Sequence, residues 1–243
     1  MKVRTIGDLL SKLPRLIRND DTAWFRGEAS INFTLLPTIC RPPCTPDKEQ
    51  GLNKRFRQNA FPFLEYVPRT EWEWLFLMQH YGVQTRLLDW SEHPLVALYF
   101  VVHDQNRWTE DGRIWCLLPK VYNKEAHHIE HTAGDILCFD VDDELDKFLP
   151  ANIGTAGATY LPPIAAIASQ RFHRIYAQHG VFTVFHRKHE PLEKQATSDS
   201  LKHLMVPADA KRKLLEELKV LKIDKLAIFP DLTSVAQKVK AIV

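Results

Sequence analysis

The chain has no run of ~18 consecutive apolar residues, so no membrane-crossing helix is expected. Its first residues, Met-Lys-Val-Arg-Thr-Ile-Gly-Asp, lack the apolar stretch and small-residue cleavage site of a secretory signal. Leu9, Leu10, Leu13 and Leu16 instead follow at the spacing of an amphipathic helix. A cytoplasmic protein without a membrane partner is expected on those grounds. Cysteine is scarce, and Cys40, Cys44, Cys116 and Cys138 show no paired metal spacing. A Cys-x3-Cys interrupted by two prolines makes a poor zinc half-site, and free thiols suit a cytosolic chain better. An excess of one charge is missing too. Thirty-two Lys and Arg against thirty Asp and Glu leave +2, which identifies no nucleic-acid partner, although a local basic groove stays open. No internal repeat or low-complexity tract occurs.

What is present is enough for a sizeable core: 243 residues, 45% of them hydrophobic. Trp24-Phe25-Arg26-Gly27-Glu28 reads as a strand with Trp24 and Arg26 on one face and Phe25 on the other. A proline-rich loop follows over 41–50, then a helix over Lys54 to Leu64. Thr70 and Glu73 form a capping box ahead of a helix bearing Trp74, Leu75 and Met78, which Gly82 stops. Further strands are expected at Arg113–Leu118 and Ala177–Phe185, and residues 120–170 hold few strong patterns. Pro150–Pro163 reads as a long surface loop. A late helix spans Pro207 to Leu221 with Leu214, Leu215, Leu218 and Leu221 inward, and a last helix follows it. Strands scattered among helices without regular βαβ spacing give an α+β single domain over 1–243, with 207–243 as its C-terminal helical portion.

The densest mixture of polar and apolar groups lies at 78–102. Arg86 to Leu88 read as a short strand, Asp89-Trp90-Ser91 as a turn, and Ser91 as the cap of a helix that opens on Pro94. Leu95, Leu98, Tyr99 and Val102, with Val96 and Phe100 beside them, predict a helix buried on much of its circumference. A buried helix fixes the segment before it, so Arg86, Asp89 and Ser91 are polar groups held at the edge of a rigid core.

Trp24-Phe25-Arg26-Gly27-Glu28, Leu35-Leu36-Pro37 with Arg41, Gln79-His80-Tyr81-Gly82 and Thr85-Arg86-Leu87-Leu88-Asp89-Trp90-Ser91 together resemble the FRG domain family. Arg174-Ile175, Gln178-His179-Gly180 and Phe229-Pro230-Asp231-Leu232 extend that resemblance. A second resemblance is to ADP-ribosyltransferases. It rests on Arg26 for their first-strand arginine, Ser91-x5-Ala97-x2-Phe100 for their serine strand and following helix, and Gln178 for their later strand. It implies a split mixed sheet flanked by helices. It also implies an NAD-dependent transferase, NAD being the substrate, that acts as an intracellular toxin or anti-phage effector. Its acceptor would be RNA, DNA or protein, and a neutralising antitoxin is a further implied partner. Leu-Asp-Trp-Ser stands where those enzymes carry Ser-Thr-Ser, and no Glu-x-Glu or Gln-x-Glu appears near 178.

In that chemistry Arg26 or Arg86 anchors the pyrophosphate through its planar fork of donors. Asp89 supplies negative charge to an oxocarbenium-like centre. His80 or His179 acts as base for the acceptor, Ser91 contacts ribose, Gln178 completes the pocket, and Tyr81 stacks on nicotinamide. Each has a plainer alternative: Arg26 pairing with Asp89 to tie strand to helix, Ser91 as a cap, His80 held by a helix dipole. A non-catalytic nucleotide-binding module stays open beside the enzyme. So does a metal-dependent nuclease using His127-His128-Ile129-Glu130-His131, although that order is not His-Glu-x-x-His and no metal ligand is assigned. The lysines and arginines from Lys202 to Lys225 read as a solvated basic face that could guide a nucleic acid.

Overall fold

The computed structural model describes every residue except 18–21, 44–47, 128–135, 154–159, 169–172, 188–189 and 241–243. The strands are β1 (Trp24–Glu28), β2 (Leu87–Ser91), β3 (Gly112–Leu117), β4 (Leu137–Cys138), β5 (Ile164–Ile167), β6 (Gly180–Val184) and β7 (Leu201–Val206). The helices are α1 (Ile6–Leu16), α2 (Glu49–Ala60), α3 (Glu71–His80), α4 (Pro94–Val102), α5 (Pro119–His127), α6 (His173–Ala177), α7 (Lys211–Val220), α8 (Lys225–Ile228) and α9 (Leu232–Lys240).

The strands form one sheet of seven, ordered β4-β5-β6-β2-β1-β3-β7, parallel at β4–β5 and antiparallel at the other junctions. Its two halves meet weakly. β1 pairs with β3 along all of Trp24–Glu28, and β2 with β6 along all of Leu87–Ser91, whereas β1 and β2 share the single register pair Phe25↔Ser91. The α+β class, with one mixed sheet flanked by helices, agrees with the reading of the sequence.

Period-two alternation in β1 sends Trp24 into the cluster on one face and Phe25 into the cluster on the other, as its sequence predicts. On Phe25's face α1, α4 and α7 cover the β1–β3–β7 half, with Leu9, Leu98, Val101, Leu214 and Leu218 fully buried. On the same face α3 covers the other half through Trp72, Leu75, Phe76 and Met78, packed on Leu87, Ile164 and Phe182. The opposite face buries Trp24, Trp90 and Trp115 beneath α5 and the segment around Leu35. No described helix is long and apolar enough to cross a membrane.

Thr70 caps α3 by accepting from the Glu73 amide at 3.1 Å, and Gly82, at φ +77°, ends that helix. Helix α4 is buried around most of its circumference because it lies between the sheet and α7.

Several boundaries differ from expectation. Asp89-Trp90-Ser91 is not a turn but the end of β2, held in register by β6. Ser91 therefore does not cap α4; His93 does, its Nδ1 accepting from the Leu95 amide at 3.2 Å. Helix α2 starts earlier than Lys54, since Glu49 is drawn inward to a buried arginine. Residues 173–177 are helical, and strand structure begins only at Gly180. The quiet region 120–170 holds α5, β4 and β5, elements too short to show a period. Leu221 lies 51% exposed past the end of α7, and Leu10 is exposed on α1. Cys40, Cys116 and Cys138 are free thiols, and Cys44 lies outside the described residues. So do positions 128–131 of the histidine-rich segment and part of the Pro150–Pro163 loop.

Candidate functional site

Where β1 and β2 stop pairing, Arg26 takes over a backbone hydrogen bond. Its Nη1 donates to the Asp89 carbonyl oxygen at 2.6 Å, satisfying an acceptor that a longer β1–β2 ladder would have used. The expected Arg26–Asp89 ion pair is therefore a contact to backbone, and the Asp89 carboxylate stays exposed. That carboxylate accepts from the Gln79 amide at 2.6 Å, and Gln79 in turn accepts from the Thr85 hydroxyl. Ser91 Oγ donates to the Gln178 carbonyl at 2.6 Å and accepts from the His93 amide at 3.0 Å, tying β2 to the segment ahead of β6. Gln178 Nε2 donates to the Ile228 carbonyl at 3.0 Å, so the Gln178 side chain lies along the cleft wall and not in the core.

Asp89, Ser91 and Gln178 form a polar seam between the two apolar clusters on Phe25's face, and Arg26, which strand alternation puts on Trp24's face beside Trp115, reaches the Asp89 carbonyl through the gap where β1–β2 pairing stops. Two small cavities lie along the seam. One, of about 160 Å³, is lined by Arg26, Gly27, Ser91, Ala97 and Phe100; the other, of about 80 Å³, by Phe76, Gln79, His80 and Phe182. Asp89, Trp90 and Gln178 border both. Gly27 is required here because a Cβ on it would stand 1.8 Å from the Ala97 carbonyl oxygen, where α4 crosses β1.

Electrostatically the arginine end of the seam is basic. Arg26 Nε lies 3.6 Å from Oε1 of Glu28, whose Oε2 accepts from Trp115 Nε1 at 3.0 Å. Glu28 is buried, and among the described residues its Oε1 and Arg26 Nε make no hydrogen bond. Arg41 is lowered from the usual arginine range by burial and by the Arg26 charge nearby. At the other end the His93 and His179 rings lie 5.6 Å apart, and burial, then His179, pushes His93 below the ordinary imidazole value.

The structure thus brings Arg26, Asp89, Ser91 and Gln178 to one cleft, with His80 at its α3 edge. Two expected site residues are elsewhere. Arg86 is 2% exposed and bonded through its guanidinium to Glu49 and the Phe185 carbonyl; it points away from Asp89 because β2 alternates, and it cannot meet a ligand. Tyr81 is 66% exposed and faces a separate groove beside α2. The sequence reading overlooked Gln79 as Asp89's partner, His93 as the cap and Glu28 beside Arg26. Gln79 and Glu28 were visible only as members of motifs, and their partners are distant in the chain.

Residues 21–110 match the family model for the FRG domain. Over that span the chain is similar to the FRG domain family. No curated protein and no solved structure matches the chain. The matched span of the FRG domain includes β1, α2, α3, β2 and α4, and with them Arg26, Gly27, His80, Asp89 and Ser91. Gln178 joins the cleft from outside that span. Among the described residues no group of three or more His, Cys, Asp or Glu side chains is placed to hold a metal ion.

Proposed function

We propose that this chain is an NAD-dependent ADP-ribosyltransferase-like enzyme, an intracellular toxin or defence effector that modifies nucleic acid or protein. The observation that carries the reading is the junction of the sheet. A strand arginine, an exposed strand carboxylate, a serine and a glutamine arrive from β1, β2 and the approach to β6 at one cleft between α3 and α4.

NAD offers two features that this cleft suits. Its pyrophosphate matches the guanidinium fork of Arg26. Its nicotinamide–ribose bond breaks through an oxocarbenium-like centre that a nearby negative charge stabilises, and Asp89 supplies that charge. The bonding pair of the C1′–N bond leaves with nicotinamide, which departs neutral. A nucleophilic oxygen or nitrogen of the acceptor then bonds to C1′, and its proton passes to His80 at the cleft edge. Ser91 and Gln178, already bonded to each other through the Gln178 carbonyl, hold the ribose pocket in shape. Each cavity is smaller than the ~300–1,000 Å³ of a full ligand site. The nicotinamide–ribose end therefore enters the cleft and the adenosine end lies along its mouth.

A second reading, a non-catalytic nucleotide-binding module, is favoured by one observation: the Asp89 carboxylate and the Gln178 amide each already have a hydrogen-bond partner within the chain. Incubation with nicotinamide-labelled NAD and mixed acceptors separates the two. Nicotinamide release that is lost in Arg26→Ala and in Asp89→Asn, with both variants folded by circular dichroism, supports the transferase. NAD binding with no release supports the module. Inducing the wild-type chain in growing cells is expected to arrest growth, and Arg26→Ala is expected to relieve the arrest.

A further inference from the structure

Helix α2 turns Glu49 and Asn53 inward and leaves Leu52, Arg55, Phe56 and Asn59 as a stripe at i, i+3 and i+4 spacing. The turn at Phe61–Phe63 brings Phe63 to the end of that stripe, and Tyr81, just past α3, closes the other side. Between them lies a groove of about 480 Å³, the volume of a typical ligand pocket (~300–1,000 Å³). Its rings are bare: Phe63 is 85% exposed and Tyr81 66%, with the Phe56 and Tyr81 centroids 6.4 Å apart. Aromatic surface left open to water on this scale marks a binding face.

The charge around the groove is positive. Arg55 lines it, is exposed and has no ion-pair partner among the described residues. Lys48, the N-cap residue of α2, stands about two turns before Arg55 on the same edge of the stripe, and Lys54 is exposed on the same helix. The neighbouring acids are engaged elsewhere: Glu49 with buried Arg86, Glu71 with Arg57, and Glu73 with the Arg69 amide and the Tyr66 hydroxyl. Among the described residues from 48 to 73, Glu65 is the remaining exposed acid. Asn59 uses its Nδ2 on the Arg55 carbonyl at 2.7 Å, leaving Oδ1 to accept from a ligand. The groove also leads toward the cleft, because the Tyr81 ring stands edge-on to His80, 4.8 Å between centroids, and His80 lines the cleft.

We infer that this groove is the landing site of a single-stranded nucleic acid, the acceptor class for the transfer proposed above, on which reading the inference rests. Bases stack on Phe63 and Tyr81, phosphates meet Arg55 and Lys48, and the strand runs past Tyr81 and His80 toward Asp89. Stacking of this kind needs unpaired bases, so a duplex is excluded from the groove.

The test uses the full chain without NAD and fluorescein-labelled oligothymidylate and oligouridylate of about 12 nucleotides. Anisotropy titrations at about 50 and 200 mM salt are expected to show binding that weakens with salt, and weaker binding of the matching duplex. Phe63→Ala and Tyr81→Ala, both exposed and therefore tolerant of truncation, are each expected to weaken binding roughly tenfold. Arg55→Gln is expected to reduce the salt slope by about one phosphate contact. Undetectable binding overturns the inference, as does equal affinity in wild type and the two ring variants. A concentration-dependent dimer or an acidic peptide that needs Phe63, with no oligonucleotide bound, overturns it in favour of a protein occupant. The two readings fail separately. Nicotinamide release without oligonucleotide binding sinks only the acceptor assignment, whereas strand binding without nicotinamide release sinks only the transferase.

Discussion

Gly27 shows how one hydrogen atom in place of a methyl can shape a cleft. With a Cβ 1.8 Å from a backbone oxygen of α4, neither neighbour can rotate away, and α4 must lift from β1. Gly27→Ala is expected to cost roughly 3 kcal/mol, a fall of about 6–12 °C in melting temperature, readable by thermal denaturation. His186 carries a second residue-scale consequence. It is buried two residues past β6, neither ring nitrogen makes a hydrogen bond among the described residues, and burial followed by the Arg86 and Arg187 charges pushes it down to about 4. The folded chain keeps it neutral while the unfolded chain protonates it near 6.5, so stability is full above pH ~6.5 and falls as pH drops toward ~4. The loss over that window is about 3 kcal/mol. His186→Phe is expected to flatten the window in urea titrations at several pH values; an unchanged slope would refute the assignment.

At the scale of elements, α2 is anchored to the sheet by one buried ion pair. Glu49 is fully buried and accepts from the Arg86 amide at 3.0 Å and from the Arg86 guanidinium at 2.8 Å, which fixes both the start of α2 and the edge of β2. Removing one partner leaves the other charge buried alone, so Glu49→Leu is expected to cost about 3–5 kcal/mol. Glu49→Leu combined with Arg86→Met is expected to recover most of that loss, measured by denaturant unfolding. This pair also explains why Arg86, an attractive anion anchor in a linear reading, serves packing instead. The capped α3 and the apolar α4 were legible because Thr70, Gly82, Pro94 and a dense apolar period are local signals. Strands β4 and β5 were not, since two and four residues give no period to read.

At the scale of the whole molecule, the proposed NAD site lies at a junction where the two halves of the sheet share one register pair. A ligand seated at that junction holds the halves together and stabilises the fold by mass action. NAD at about 100 times its dissociation constant is expected to add about 2.7 kcal/mol, a rise of roughly 5–10 °C in melting temperature. Arg26→Ala is expected to lose most of that rise while keeping the fold. A shift of equal size in the variant would place the ligand elsewhere.

By itself the sequence determined what nearest neighbours along the chain can dictate: the α+β class, the faces of β1, the cap and stop of α3, the buried α4, and the motif residues Arg26, Asp89 and Ser91. Only the tertiary structure decided which of those polar groups share a cleft. That Asp89 meets Gln79, that Gln178 reaches Ser91, that Arg26 bonds a backbone carbonyl, and that Arg86 is spent on Glu49 are contacts set by strand order and register. A shift of one residue along β2 would send Asp89 to the opposite face of the sheet, and no local pattern in the chain fixes that register. It is fixed by β6, 93 residues away in sequence, through the pairing Asp89↔Phe182.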